Sequence, residues 1–191
     1  MLSLDRLLPI LTLVVIYAER MREVRTRRET VPGARKESLT FNLFMICGIL
    51  MVIGAIGEFM IRGTRLWWPG YLLGVVVSVA SFVIRRQAIA ALGKFWSLHV
   101  EMRDGHEFVQ TGPFRWMRHP VYFSMFLELA GLALVSSAFI TFAVVMMIFI
   151  PTMFYRLKIE EEALLAQFGG TYADYQKRTP LILPWKGPVP P

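Results

Sequence analysis

Apolar and polar positions along this chain fall into long blocks rather than into an alternation. Apolar runs cover residues 2–18, 39–61, 70–84, 121–135 and 138–155. A helix needs about 20 apolar residues to cross a bilayer. The second run therefore predicts a clear span, while the first and fourth are short for one. Together the runs predict an all-α, polytopic membrane fold with about five transmembrane helices. Trp67-Trp68-Pro69 reads as an interfacial aromatic anchor at a helix start. The helix after it is expected to continue through Arg85, Arg86 and Gln87 to Leu92 and to stop at Gly93. Gly70, Gly74 and Ser78, four apart, form a small-residue stripe for tight helix contact within the chain. Glu58 is expected to pair with Arg62 at the membrane edge. Ser136-Ser137 is so short a connection that 121–155 should form an antiparallel helical hairpin, with a kink at Pro151. Beyond it Ile159, Ala163, Leu164 and Phe168 recur at helical spacing, which predicts an amphipathic helix over 156–168. Gly169-Gly170 should end that helix, and a proline-rich tail follows.

The polar segments set the expected topology. The loop 19–37, with a turn at Pro32-Gly33, carries seven basic residues, and 62–65 carries two. The excess of Lys and Arg marks cytoplasmic loops, so the first loop is placed inside. With five spans the N-terminus then lies outside, and segments 85–117 and 156–191 lie inside. Residues 95–100 read as an extended piece and Asp104-Gly105 as a turn. The stretch Gly112 to Tyr122, Gly-Pro-Phe-Arg-Trp-Met-Arg-His-Pro-Val-Tyr, stands out between apolar runs. Pro113 and Pro120 push the residues before them, Gly112 and His119, away from helical geometry. Arg115, Arg118, His119 and Tyr122 lie close together here and read as the floor of a ligand site.

Composition supports the membrane reading. Of 191 residues, 55% are hydrophobic and 18% charged, against about 25% charged in soluble domains. The mean hydropathy is +0.49. The net charge of +7 is assigned to cytoplasmic loops and anionic headgroups, because no basic pattern with interleaved stacking residues points to nucleic acid. One cysteine, Cys47, excludes an internal disulfide and a cysteine-based zinc cage, and reads as a small core or lipid-facing residue. Three histidines and Glu160 lack the i, i+4 spacing of a zinc helix, so no metal is expected. Gly-x-Ser-x-Gly, Walker A and dinucleotide fingerprints are absent from the sequence.

Arg156 and Glu160 are i, i+4 and share a helix face. Spacing alone leaves two readings open. They form an exposed salt bridge, or Arg156 grips a carboxylate or phosphate at headgroup depth while Glu160 takes an amino or ribose hydroxyl group of a water-soluble cofactor. Arg118 likewise reads either as a lipid-phosphate contact or as part of the site. Tyr172 and Tyr175 are expected to pack the tail.

Several motifs occur in one order: Arg85 through Ala91-Leu92-Gly93, Gly105-His106-Glu107-Phe108-Val109, Gly112-Pro113-Phe114, Arg118-His119-Pro120-Val121-Tyr122, Glu160-Glu161 with Leu164, Phe168-Gly169, Tyr172 with Tyr175, and Arg178-Thr179-Pro180. In these the chain resembles the isoprenylcysteine carboxyl methyltransferase family, including its short prokaryotic members, and more distantly the membrane phospholipid methyltransferases. The resemblance covers about half the chain. It implies N-terminal transmembrane helices over 1–84 and a catalytic region over 85–191 with a cytoplasmic pocket for S-adenosylmethionine. Carried over by position, cofactor contacts fall on His106, Glu107, Phe108, Val109, Phe114, His119, Pro120, Val121, Tyr122 and Glu160. Arg156 falls where the family holds the substrate carboxylate, and Arg85 where a second active-site arginine lies. Phe114 stands in place of the family's usual Tyr and Ser124 in place of a frequent Gly. The implied partners are membrane lipids and a lipophilic acceptor entering from the bilayer, most simply an isoprenylcysteine-like carboxylate. A thiol, a phospholipid amine, or a lipid-binding scaffold without turnover are the alternatives. A bacterial source would place the chain in the inner membrane with its site facing the cytoplasm.

Overall fold

The computed structural model describes residues 4–25, 33–37, 39–62, 66–96, 100–103 and 109–188. Five helices carry the fold: α1 (Leu4–Arg25), α2 (Leu39–Arg62), α3 (Trp68–Leu92), α4 (Pro120–Ser136) and α5 (Phe139–Arg178). A two-stranded antiparallel ribbon joins β1 (Gly33–Glu37) to β2 (Val100–Arg103), with an irregularity between Arg35 and Glu37. Among the described residues α2, α5, and α3 with the 3-10 turn that follows it are long and apolar enough to cross a membrane, and α4 is a shorter apolar helix. Large apolar side chains such as Ile53, Ile61, Val76 and Met147 face outward, as a surface in contact with lipid requires. The chain is an integral membrane protein.

The expected loop 19–37 is partly wrong, because α1 continues to Arg25. The ion pairs Arg22–Glu19 (2.7 Å) and Arg20–Glu23 (3.1 Å), each three residues apart, support the helix beyond its apolar part. The expected extended piece over 95–100 is also displaced. Gly93–Phe95 forms a 3-10 turn and the strand starts at Val100. Asp104-Gly105 lies outside the described residues. Elsewhere the punctuation holds. Pro69 sits in the first turn of α3, and Gly93 ends it in a positive-φ conformation (φ 52°).

The small-residue stripe is buried, and α3 and α4 lie against each other along their length. A Cβ on Gly74 would stand 2.6 Å from the Val135 nitrogen and 2.8 Å from the Gly131 oxygen, so backbone meets backbone there. Gly70 instead takes the ring of Trp67. Ser81 Oγ donates to the Ser124 carbonyl at 2.8 Å. The turn into α5 is as tight as expected, with Ser137 left-handed (φ 54°, ψ 31°). Yet α5 packs chiefly on α2 and meets α4 at few points. At the C-terminal end of α2 Glu58 pairs with Arg62 at 3.0 Å. Glu58 also accepts hydrogen bonds from the Ile140 and Thr141 amides at 3.3 and 2.8 Å, which caps the start of α5. The α5 helix passes through Pro151 with helical backbone, and its break comes at Gly169 (φ 52°, ψ −127°).

Candidate active site

The divergence of α4 from α5 leaves a cavity of about 240 Å³ between them, closed by α1, α2 and the end of α3. Phe114, His119, Pro120, Val121, Tyr122, Arg156 and Glu160 all line it, together with Arg118. Eight residues singled out in the sequence thus meet at one place. Val109 is half-buried and is not among the lining residues. His106, Glu107 and Phe108 lie outside the described residues. Arg85 is fully buried and stands behind the wall, where Nε donates to Ser124 Oγ at 3.0 Å and Nη2 to Glu128.

The geometry follows from the two prolines. Gly112 (φ 59°) opens a 3-10 turn over Gly112–Arg115, and His119 (φ −127°, ψ 63°) precedes Pro120 at the first turn of α4. The segment between them does not join a helical ladder; the Trp116 and Met117 amides bond back to the Pro113 carbonyl, and the last two amides are satisfied by the tail. The Arg118 amide donates to the Pro180 carbonyl at 2.9 Å and that of His119 to Leu181 at 3.0 Å. Tyr175 Oη donates to the Phe114 carbonyl at 2.6 Å. Tyr172 and Tyr175 are buried and, as expected, brace the frame rather than line the cavity.

Two linked polar groups stand on this frame. In the first, Arg156 Nε donates to Tyr122 Oη at 2.7 Å and to Glu160 Oε1 at 3.1 Å, and Nη1 donates to Thr40 Oγ1 at 3.1 Å. Tyr122 also bonds Glu160. Arg156 is 4% exposed, which rules out the exposed surface bridge that spacing alone permitted. In the second, Glu161 binds His119 Nε2 at 2.6 Å, Tyr172 Oη at 2.5 Å, Gln176 Nε2 at 2.7 Å and the Arg118 guanidinium. Arg118 therefore belongs to the site network. His119 Nδ1 lies 3.6 Å from Glu160 Oε2 and joins the two groups.

The electrostatics of the second group follow from its donors. Burial works against the Glu161 charge, but the hydrogen bond and charge of His119, then Tyr172 and Gln176, outweigh it and hold the carboxyl down at about 2. Burial, then the Glu161 hydrogen bond, pushes the Tyr172 phenol above its usual range. Glu161 is thus a fixed anion and Tyr172 a fixed donor.

Apart from Tyr17, Arg20 and Glu128, the rest of the cavity wall is apolar. Phe44, Met45 and Gly48 come from α2, Met125, Leu129 and Leu132 from α4, and Phe149 from α5, while Tyr17, Arg20 and Met21 come from α1. Sequence reading missed these α1 and α2 residues, Thr40 and Glu128. Apolar residues on a membrane helix carry no chemical signal of which of them face a cavity. Glu128, a lone carboxylate in an apolar run, was the one visible clue. Among the described residues no group of three or more His, Cys, Asp or Glu could hold a metal.

A model of the isoprenylcysteine carboxyl methyltransferase family matches residues 69–166, just over half of the chain. That range holds every polar side chain lining the cavity except Tyr17 and Arg20. The uncharacterised protein YpbQ of Bacillus subtilis (strain 168) is 24% identical over 162 residues, covering 81% of this chain and 95% of that protein. Protein-S-isoprenylcysteine O-methyltransferase B of Arabidopsis thaliana is 26% identical over 167 residues, covering 81% and 82%. Methanethiol S-methyltransferase of Crocosphaera subtropica (strain ATCC 51142 / BH68) is 27% identical over 128 residues, covering 65% of this chain and 49% of that protein. The match runs through α3, the Arg118–Tyr122 segment, α4 and α5 to just past Glu161 and so takes in most of the cavity's polar residues, and on it this chain belongs to the isoprenylcysteine carboxyl methyltransferase family and is a membrane methyltransferase.

Proposed function

We propose that the chain transfers a methyl group from S-adenosylmethionine to an anionic group, most simply a carboxylate, on a lipophilic acceptor that enters from the bilayer. The observation that carries this reading is one cavity with two characters. His119, Tyr122, Arg156 and Glu160 stand at one end, and Phe44, Met45, Leu129, Leu132 and Phe149 form the other wall. In this reading residues 85–191 form the catalytic region, and the helices of 1–84 supply the lipid-side wall. With five spans, as the apolar runs suggest, and the basic-rich 19–37 segment inside, the polar end faces the cytoplasm in this reading.

The residues fit such a cofactor. Arg118 Nε is buried with no hydrogen-bond partner among the described residues, which suits a carboxylate. Glu160 suits a hydroxyl or ammonium group, and Phe114, Val121 and Leu164 offer apolar faces to a base. His106, Glu107, Phe108 and Val109 complete the proposed contacts from the preceding segment. When bound, the cofactor supplies a methyl group on a cationic sulfonium. Arg156 orients the acceptor carboxylate, which is ionised at neutral pH and needs no general base. The apolar wall excludes water. A reaction that cancels an anion against a cation gains from a dry site with fixed dipoles. Positioning supplies the rest. Arg85 acts from behind the wall by fixing Glu128 and Ser124. A thiolate acceptor is the second reading, favoured by the likeness to a methanethiol S-methyltransferase; the arginines favour the ionised thiol.

The test is transfer of labelled methyl in detergent to a farnesylated cysteine, a short-chain thiol and phosphatidylethanolamine. A base-labile product on the farnesylated cysteine is expected. Label on the thiol or the amine alone would overturn the carboxylate reading.

A further inference from the structure

A second charged cluster borders the same cavity, away from Arg156. It joins Arg20 and Glu23 of α1, Arg85 of α3 and Glu128 of α4. Two cations and two anions balance, so the cluster has no net charge with which to draw in an ion. Its hydrogen bonding is incomplete. Arg85 Nη2 donates to Glu128 Oε2, while Glu128 Oε1 accepts nothing from the described residues. Arg20 Nη1 donates to Glu23 at 3.1 Å. Arg20 Nε stands 3.9 Å from Glu128 Oε2, too far for a hydrogen bond. Arg20 and Glu128 both line the cavity. They are thus a donor edge and an acceptor oxygen side by side in a wall otherwise built of Tyr17, Met21 and Met125. Val121, Met125, Glu128 and Leu132 form one stripe along α4, and Glu128 lies about 10 Å further along the helix than Val121.

We propose that Arg20 and Glu128 form a subsite for a neutral donor–acceptor group, an amide or a hydroxyl, in the body of the acceptor. The proposal rests on the reading that the cavity takes a lipophilic acceptor. An ionic group gains nothing from a balanced cluster, and plain hydrocarbon leaves both polar edges unmatched in an apolar surround. A neutral amide satisfies both at once, its N–H on Glu128 and its C=O on Arg20. At 3.9 Å the pair is held by charge without a direct hydrogen bond, which leaves room for a third group to bond both edges.

The test compares two amphiphiles of equal length with the same carboxylate, N-decanoyl-8-aminooctanoate, whose amide lies about 10 Å from the carboxylate to match the separation along α4, and nonadecanoate, which lacks the amide. Trp96 lines the same wall, so tryptophan fluorescence reads binding without turnover, and labelled methyl transfer is measured in parallel. The full-length protein in detergent should bind the amide-bearing compound about tenfold more tightly. In Arg20→Met the ratio should fall to within about twofold, and Glu128→Gln carries the same test if Arg20→Met does not fold. Equal affinities in the natural protein, or a ratio that neither variant changes, would overturn the subsite. Methyl transfer to both compounds without discrimination would overturn it and leave the proposed function standing. Discrimination lost in the variants, with no methyl transfer to either compound, would keep the subsite and overturn the proposed function. Failure of both compounds to bind would overturn both.

Discussion

At the residue scale the site depends on which partner each charge keeps. Arg156 is shared among Tyr122, Glu160 and Thr40. In the proposed reading it holds the acceptor while Arg118 and Glu160 hold the cofactor. Arg156→Ala should therefore lower kcat/KM for an anionic acceptor by about 10²–10³-fold, the range for a lost charge-stabilising donor. Cofactor affinity, measured by calorimetry, should hold or rise, because Glu160 is released. An equal fall in both would remove the division of labour. Glu161 makes a different prediction. Its carboxyl is held at about 2, below the ordinary value of 4.5. The stability it contributes is complete above the unfolded value and is lost as pH falls through the folded one. It should amount to something on the order of 3 kcal/mol at neutral pH. The difference in thermal midpoint between the natural protein and Glu161→Gln should accordingly shrink as pH falls from 4.5 toward 2. A difference that widens on acidification has the wrong sign and refutes the assignment.

At the element scale the α3–α4 contact is the most extensive among the described elements. Gly74→Ala places a methyl group against the Val135 nitrogen and Gly131 oxygen, and backbone cannot yield as a flexible side chain can. It should destabilise by about 1–3 kcal/mol. Gly57→Ala, on α2 where nothing lies within 4 Å, should be neutral or stabilise by up to about 1 kcal/mol. Parallel unfolding in detergent compares the two; similar effects would deny the tight seam. The small-residue stripe announced this seam, as the apolar runs announced α2, α3 and the hairpin turn. Other features were not legible because they rest on long-range choices. The extension of α1 depends on local ion pairs beyond the apolar run. That α4 lies on α3, and α5 on α2, is settled by which surfaces fit. Of the motif residues of the site, His119, Tyr122, Arg156 and Glu160 could be named because their chemistry is unusual in an apolar chain, whereas Phe114 came only with the resemblance to the family. The α1 and α2 walls could not, since Phe44 or Met45 looks like any lipid-facing residue until the cavity is seen.

At the scale of the whole molecule the proposed acceptor and cofactor sides of the site meet at the Arg156–Glu160 ion pair. At about 240 Å³ the cavity is smaller than the roughly 300–1,000 Å³ of ordinary small-molecule sites, and Arg156 and Glu160 bridge part of it at 3.1 Å. An anionic acceptor that takes Arg156 must compete with Glu160. The carboxylate so released is then available for a cofactor hydroxyl or ammonium group, and the reverse order gives the same gain. Coupling of this kind is reciprocal and commonly amounts to 5- to 150-fold. We expect a positive coupling of about tenfold between an anionic amphiphile and the cofactor side. S-adenosylhomocysteine, which has no methyl group to transfer, allows the measurement at equilibrium by calorimetry with and without farnesylthiopropionate. In Glu160→Gln the pair is weakened beforehand, so the coupling should fall toward one even if each ligand still binds. Independent binding in the natural protein would mean that Arg156 and Glu160 stay together through the cycle, and that the acceptor anion is held by other groups.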